Sequence, residues 1–407
     1  AWLTEISLGI REAYDDNLLG VSGEGTMDPE SSWFTTVSPK LAFNFAPLLG
    51  KQKTIQQIAF SYAPDFVTYH NDPVAPNGSH ESYNLHRINT TIKGKADALS
   101  FNLDNAFIYV DGDKNSATYT APDNARSAYA TGLPRERREQ FQDRAKVQVQ
   151  YDWPKFFVRP IGALTFYDLL TYQKALAGYQ NYADRYDLNG GVDVGYKLNP
   201  QIAFTLGYRY GHQDQEAYNA AIDALRLTSP SDYQRVLFGM EGKPWKWLTV
   251  NFQVGPDFRN YSDTAPIDDK DQVTYYGEAN IVVDMTPKDS LTFKYKQWQW
   301  VASTGRIPYY ESSFDLTYRR KLTKALVLDL GARLQEADYT IGNVSSSLRD
   351  DRLYGLAAAL NYTVNANMSL NLAYAADFGR NQQPDLAAPQ YREYDRQVVG
   401  LSALFKF

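Results

Sequence analysis

The cleanest alternation of apolar and polar positions runs over Phe141–Tyr151. Ala145, Val147, Val149 and Tyr151 fall on one side, and Arg144, Lys146, Gln148 and Gln150 on the other. A period of two marks a strand whose faces meet different surroundings. The chain ends in the same way: Val399, Leu401, Ala403, Phe405 and Phe407 oppose Gly400, Ser402 and Lys406, with Leu404 as the one exception. Between these, the pattern predicts strands over Thr4–Tyr14, Phe34–Phe45, Ile55–Tyr69, Tyr83–Lys93, Leu99–Val110, Phe141–Tyr151, Phe156–Thr171, Arg185–Lys197 and Ile202–His212. It continues with Tyr233–Glu241, Leu248–Phe258, Val273–Met285, Leu291–Trp300, Tyr310–Arg319, Ala325–Glu336, Tyr354–Tyr362, Met368–Asp377 and a last strand from about Tyr394. That makes eighteen strands, or about 22–23 residues for each strand with its connection. Short connections such as Asn199-Pro200 and Thr286-Pro287-Lys288-Asp289 alternate with long polar ones, the longest being Asp111–Arg138. An even strand number puts both termini on the short-turn side.

A propeller would repeat a blade motif every 40–50 residues or so, and no such repeat is present. A soluble sandwich gives no reason for long and short connections to alternate. A long meander hides its edges by closing on itself, and in lipid only closure will do. The expectation is therefore an all-β protein: a closed antiparallel transmembrane β-barrel of about 18 strands, one domain over residues 1–407, with short periplasmic turns and longer extracellular loops. Pro39, Pro64, Pro160 and Pro256 fall inside these strands, where each removes a ladder donor; bulges or rim positions would accommodate them. Strand seven, Phe156–Thr171, alternates poorly.

Composition agrees. With 31 Tyr, 20 Phe and 7 Trp the chain is rich in aromatics, yet its mean hydropathy is −0.48. Barrels combine the two traits, because half of each strand faces water and aromatic girdles ring the membrane. No apolar run is long enough for a transmembrane helix. There is no cysteine, hence no disulfide framework and no Cys-based metal site. A net charge of −6 argues against a nucleic-acid partner. Ala1 followed directly by a strand reads as a mature end left by signal-peptide removal.

Catalysis has little to stand on. His70, His80, His86 and His212 lie in no nucleophile or metal-ligand motif, so no catalytic residue, metal or cofactor is predicted; loop carboxylates leave calcium open. The inward face is more informative. Alternation turns Arg87, Arg144, Lys146, Arg185, Arg209, Arg235, Arg259, Lys294, Lys296, Arg319 and Arg333 toward the lumen, among acids that include Asp187, Asp193, Asp257, Asp315 and Asp329. A basic excess along the channel of an acidic protein favours anions by field focusing; a ladder of Arg–acid pairs holding the wall round is the competing account. Trp298 and Trp300 share the face of Lys294 and Lys296. An interfacial belt, with a bulge changing the register of strand thirteen, is the simpler reading of them, and an inward platform for sugar rings is the other. The Asp111–Arg138 connection is expected to fold into or over the lumen, with Arg135, Arg137 and Arg138 at a constriction.

The terminal strand ending in Phe405 and Phe407 resembles the assembly signal of bacterial outer-membrane β-barrels. The stretch Leu8-Gly9-Ile10-Arg11-Glu12-Ala13-Tyr14-Asp15-Asp16-Asn17 resembles the first strand and loop of outer-membrane porins, including those linked to exopolysaccharide operons. The resemblance implies a Gram-negative outer-membrane protein whose partners are membrane lipid, the barrel-assembly machinery and a transported solute. It implies a channel for passive diffusion of small hydrophilic, anionic solutes. A conduit for an acidic exopolysaccharide and a non-transport structural or adhesion barrel remain as alternatives.

Overall fold

Leu3–Asp15 begins a series of antiparallel strands, each hydrogen-bonded to the next. The computed structural model describes residues 2–18, 29–50, 54–71, 82–111, 140–169, 183–217, 228–265, 267–301, 308–338, 350–381 and 393–407. The strands are β1 (Leu3–Asp15), β2 (Ser32–Asn44), β3 (Ile55–Tyr62, resumed at Asp65–Tyr69), β4 (Tyr83–Ala96), β5 (Leu99–Asp111), β6 (Gln140–Asp152), β7 (Phe156–Leu169), β8 (Ala183–Asn199) and β9 (Ile202–Ala217). They continue as β10 (Ser231–Trp245), β11 (Leu248–Tyr261), β12 (Asp271–Asp284), β13 (Asp289–Val301), β14 (Pro308–Lys321), β15 (Leu326–Asp338), β16 (Asp350–Asn365), β17 (Met368–Asn381) and β18 (Tyr394–Lys406). The sheet closes where β18 pairs with β1, from Ser7 opposite Lys406 to Asp15 opposite Val398. The result is the expected closed antiparallel barrel of eighteen strands, with β3 in two pieces.

One end carries tight turns. Asp97 takes φ 52° in the turn between β4 and β5, a left-handed conformation that Asp tolerates better than most residues. The first of these connections contains a single 3₁₀ turn, Ala46–Leu49.

The wall is inside-out relative to a soluble protein. Leu206 is 60% exposed on the outer surface, and Leu188, Val194, Leu356 and Leu401 are exposed likewise on other strands. Facing inward, Asp257 is 1% and Arg259 2% exposed. Water would reverse that distribution; lipid outside and a polar lumen inside account for it. Aromatics mark the two edges of the apolar band. Tyr151 and Trp153 pack at 4.7 Å, and Trp245 and Trp247 at 5.5 Å, near the tight turns. Tyr208, Tyr210, Phe258 and Tyr275 stand toward the other edge. Leu206→Arg is expected to cost about 2–4 kcal/mol at the membrane midplane, whereas Gln148→Arg, on the inner face, is expected to fold normally. Heat-modifiable gel mobility reads both, and equal loss would mean that the two faces have been exchanged.

The prolines use a device other than rim placement. Pro64 splits β3, and the break faces Ser38, Pro39 and Lys40 of β2, which pair with β1 but not with β3. Pro160 pairs normally toward β8 while the β6–β7 ladder skips from Gln148–Ile161 to Tyr151–Val158. Pro256 pairs toward β12 while the β10–β11 ladder skips from Arg235–Asp257 to Phe238–Val254. Each missing N–H therefore faces a local gap in one ladder, in the body of the wall.

Candidate functional site: a constriction inside the barrel

The outer end of β13 leaves the wall. Its ladder with β12 runs from Asp284–Ser290 to Gly277–Gln297 and stops there, while pairing with β14 continues to Val301–Pro308. Beyond Gln297, β13 touches strands it could not reach along the wall. Arg185 of β8 donates from a terminal guanidinium nitrogen to the Val301 carbonyl at 2.9 Å. Gln213 of β9 donates to the Gln299 carbonyl at 3.0 Å. The rings of Trp300 and Tyr167, the latter on β7, lie 6.2 Å apart. From β8 to β13 is five strand spacings, about 24 Å along the wall, so these contacts cross the lumen.

The crossing carries a row of alternating cations and rings. Arg144 donates to the Tyr167 hydroxyl at 2.6 Å. The Arg185 guanidinium lies 4.7 Å from the centre of the Tyr167 ring and 5.3 Å from that of Trp300. Trp300 stacks on Trp298 at 4.7 Å and 17°, and the Lys296 ammonium sits 3.8 Å above Trp298. Cation–π contacts of this kind hold flat side chains in fixed orientations. The tryptophans are thus not a membrane belt: Trp300 is 2% exposed, inside the barrel. No bulge shifts β13 onto the other face. The strand keeps its register with β14 and bends inward as a whole.

Other inward cations are engaged differently. Arg87 meets Asp65 at 2.6 Å, Arg209 meets Asp193 at 2.7 Å, and Arg235 and Arg259 share Asp257 at 2.7 and 3.1 Å. Arg319 meets Asp329 at 2.6 Å and Arg333 meets Asp315 at 2.5 Å. This is the pairing ladder weighed above, and it holds for these six arginines. Lys146 stands beside Asp104 in the β5–β6 register, and Lys294 beside Asp315 in the β13–β14 register. Arg135, Arg137 and Arg138, with most of the Asp111–Arg138 connection, lie outside the described residues. Phe405 pairs with Leu8 at the barrel's closure, and Phe407 is exposed.

Several residues in this site escape a reading by alternation. Arg159 of β7 bonds Asp193 at 3.2 Å and Glu241 at 3.0 Å; it and Tyr167 sit on a strand with apolar residues on both faces, which blurs the alternation there. Gln213 links Asp187 (2.7 Å), Arg259 (2.6 Å) and the Gln299 carbonyl, and Tyr233 donates to Asp187 at 2.9 Å. These partners come from four strands, and no local spacing announces them. Inward positions at the outer end also hold an apolar cluster of Ala13, Phe34, Val67, Leu85, Val110 and Val398. Among the described residues, no group of three His, Asp or Glu side chains converges as a metal site. His86 is outward, stacked against Tyr62 and Tyr109.

No family model and no curated protein matches the sequence. Solved structures do resemble it in architecture. OpdK of Pseudomonas aeruginosa, solved with vanillate, is 12% identical over 99% of this chain and 98% of its own, with a TM-score of 0.47. OccAB3 of Acinetobacter baumannii is 11% identical over 99% of each chain, with a TM-score of 0.48. OccK2 (OpdF) of Pseudomonas aeruginosa, solved in complex with glucuronate, is 10% identical over 99% and 98%, with a TM-score of 0.46.

Proposed function

We propose that this chain is a bacterial outer-membrane channel for passive diffusion of small hydrophilic anions. The observation that carries this reading is the cation-and-ring row Arg144, Tyr167, Arg185, Trp300, Trp298 and Lys296 across the lumen of a closed, lipid-facing barrel. In a narrow tube of low dielectric, positive groups at the tightest point act strongly on a passing anion. An inserted strand end is poorly suited to a polymer that must thread through continuously, which argues against a polysaccharide conduit. Membrane lipid and the assembly machinery are the partners such a barrel needs, and the precursor would carry a signal peptide. Purified protein in planar bilayers tests the reading. Discrete current steps with a reversal potential on the anion side of zero in a salt gradient are expected; a barrel that passes no current is not an open pore.

A further inference from the structure

The inserted end of β13–β14 has a second place to sit. Extending the β12–β13 register past Gly277–Gln297 would set Tyr275 opposite Gln299 and Val273 opposite Val301. Neither β12 residue has a ladder partner on that side; Tyr275 and Val273 pair instead with Pro256 and Phe258 of β11. The Tyr310 hydroxyl stands where the ladder partner of Tyr275 would be: it donates to the Tyr275 carbonyl at 2.6 Å and accepts from the Tyr275 N–H at 3.2 Å. Those two contacts show which way the backbone of Tyr275 points, and alternation fixes the rest. In a completed ladder the carbonyls turned toward β12 would be those of Gln299 and Val301. These are the same two carbonyls that Gln213 and Arg185 hold inside the lumen. The two seats are therefore mutually exclusive, and each satisfies the same acceptors.

We propose that the outer ends of β13 and β14 form a two-position strap. Seated on Arg185 and Gln213 it narrows the lumen; zipped onto β12 it completes the wall and widens the pore. An anion that engages the Arg185 guanidinium removes the donor to Val301 and biases the strap outward, so the permeant class itself opens the path. The ligand part of this inference rests on the channel reading; the movement of the strap does not.

The chain contains no cysteine, so an introduced pair has no competitor. Val273→Cys with Val301→Cys brings two thiols within disulfide reach only in the zipped position, where paired Cα atoms stand about 5.5 Å apart. Tyr275→Cys with Gln299→Cys, one rung lower, serves if the first pair folds poorly by heat-modifiable mobility. In lipid vesicles, oxidation should form the crosslink, chloride should speed it over a large organic anion that cannot enter, and Arg185→Gln should speed it further. In bilayers, the oxidised protein should conduct severalfold more than the reduced protein. A folded pair that never crosslinks while wild type conducts would overturn the strap, as would a crosslink that leaves the current of a conducting barrel unchanged. A crosslink that forms in a barrel passing no current in either state would uphold the movement and overturn the channel reading.

Discussion

Replacing Arg144, Lys146, Lys294 and Lys296 together with Gln is expected to move the reversal potential in a salt gradient from the anion side to the cation side. These four differ from the other inward cations in what removing them does. Arg235, Arg259, Arg319 and Arg333 sit within 3.1 Å of carboxylates, so deleting any of them disturbs an ion pair of the wall and tests stability more than selectivity. Arg144 and Lys296 have rings as partners at the constriction. Lys146 and Lys294 project from the same faces of β6 and β13, two residues away. Taking out all four leaves Glu278 and Glu311 on the facing strands against Arg185 as the cation remaining in the row. The loss of Lys296 and Arg144 also loosens the ring row, so single-channel conductance should rise as selectivity inverts. A wild-type pore that already prefers cations would sink the anion reading before the variant is made.

The barrel was legible because lipid enforces its pattern. A residue such as Leu206 or Val147 has to be apolar, its neighbours Thr205 or Lys146 need not be, and the period of two survives across the chain. Strand seven blurred because Phe157, Ile161 and Ala163 occupy its inner face, and an inner face packed against other protein has no need to be polar. The constriction was only partly legible. Alternation correctly puts Trp298 and Trp300 on the face of Lys296, but the bend that carries them across the lumen depends on donors met on β8 and β9, more than eighty residues earlier. Nothing in the local sequence of β13 separates a tryptophan at the membrane edge from one seated on a distant arginine. The prolines were misplaced for a related reason. A gap confined to one ladder, as at Pro160 or Pro256, leaves the hydrophobic period of the strand intact and so leaves no trace in it.

Asp15→Ala should be among the most destabilising single changes in the wall, by about 3–5 kcal/mol. Asp15 lies on the first strand and Arg396 on the last, so their pair spans the point where the barrel closes. The Arg396 Nε meets the two carboxylate oxygens at 3.0 and 3.2 Å, a terminal guanidinium nitrogen adds a further bond, and the Asn17 N–H donates to Asp15 at 3.2 Å. Asp15 is 0% exposed, and its surroundings include the apolar Ala13, Leu18 and Val398. Deleting the carboxylate takes its bidentate partner from a buried guanidinium and leaves the cross-strand Asp377 to face it, whereas the half-exposed pair of Arg352 and Glu336 at 3.3 Å should yield no more than about 1 kcal/mol when broken. Two variants separate burial of charge from loss of packing. Asp15→Leu with Arg396→Met removes both charges and should recover most of the stability, because an apolar pair suits its neighbours. Arg396→Lys keeps the charge but gives up the bidentate geometry, and should fall between the two. Urea unfolding of the refolded barrel in vesicles gives the order directly. If Asp15→Ala unfolds at the wild-type midpoint, the pair is hydrated rather than buried, and the barrel is held closed by its ladder alone.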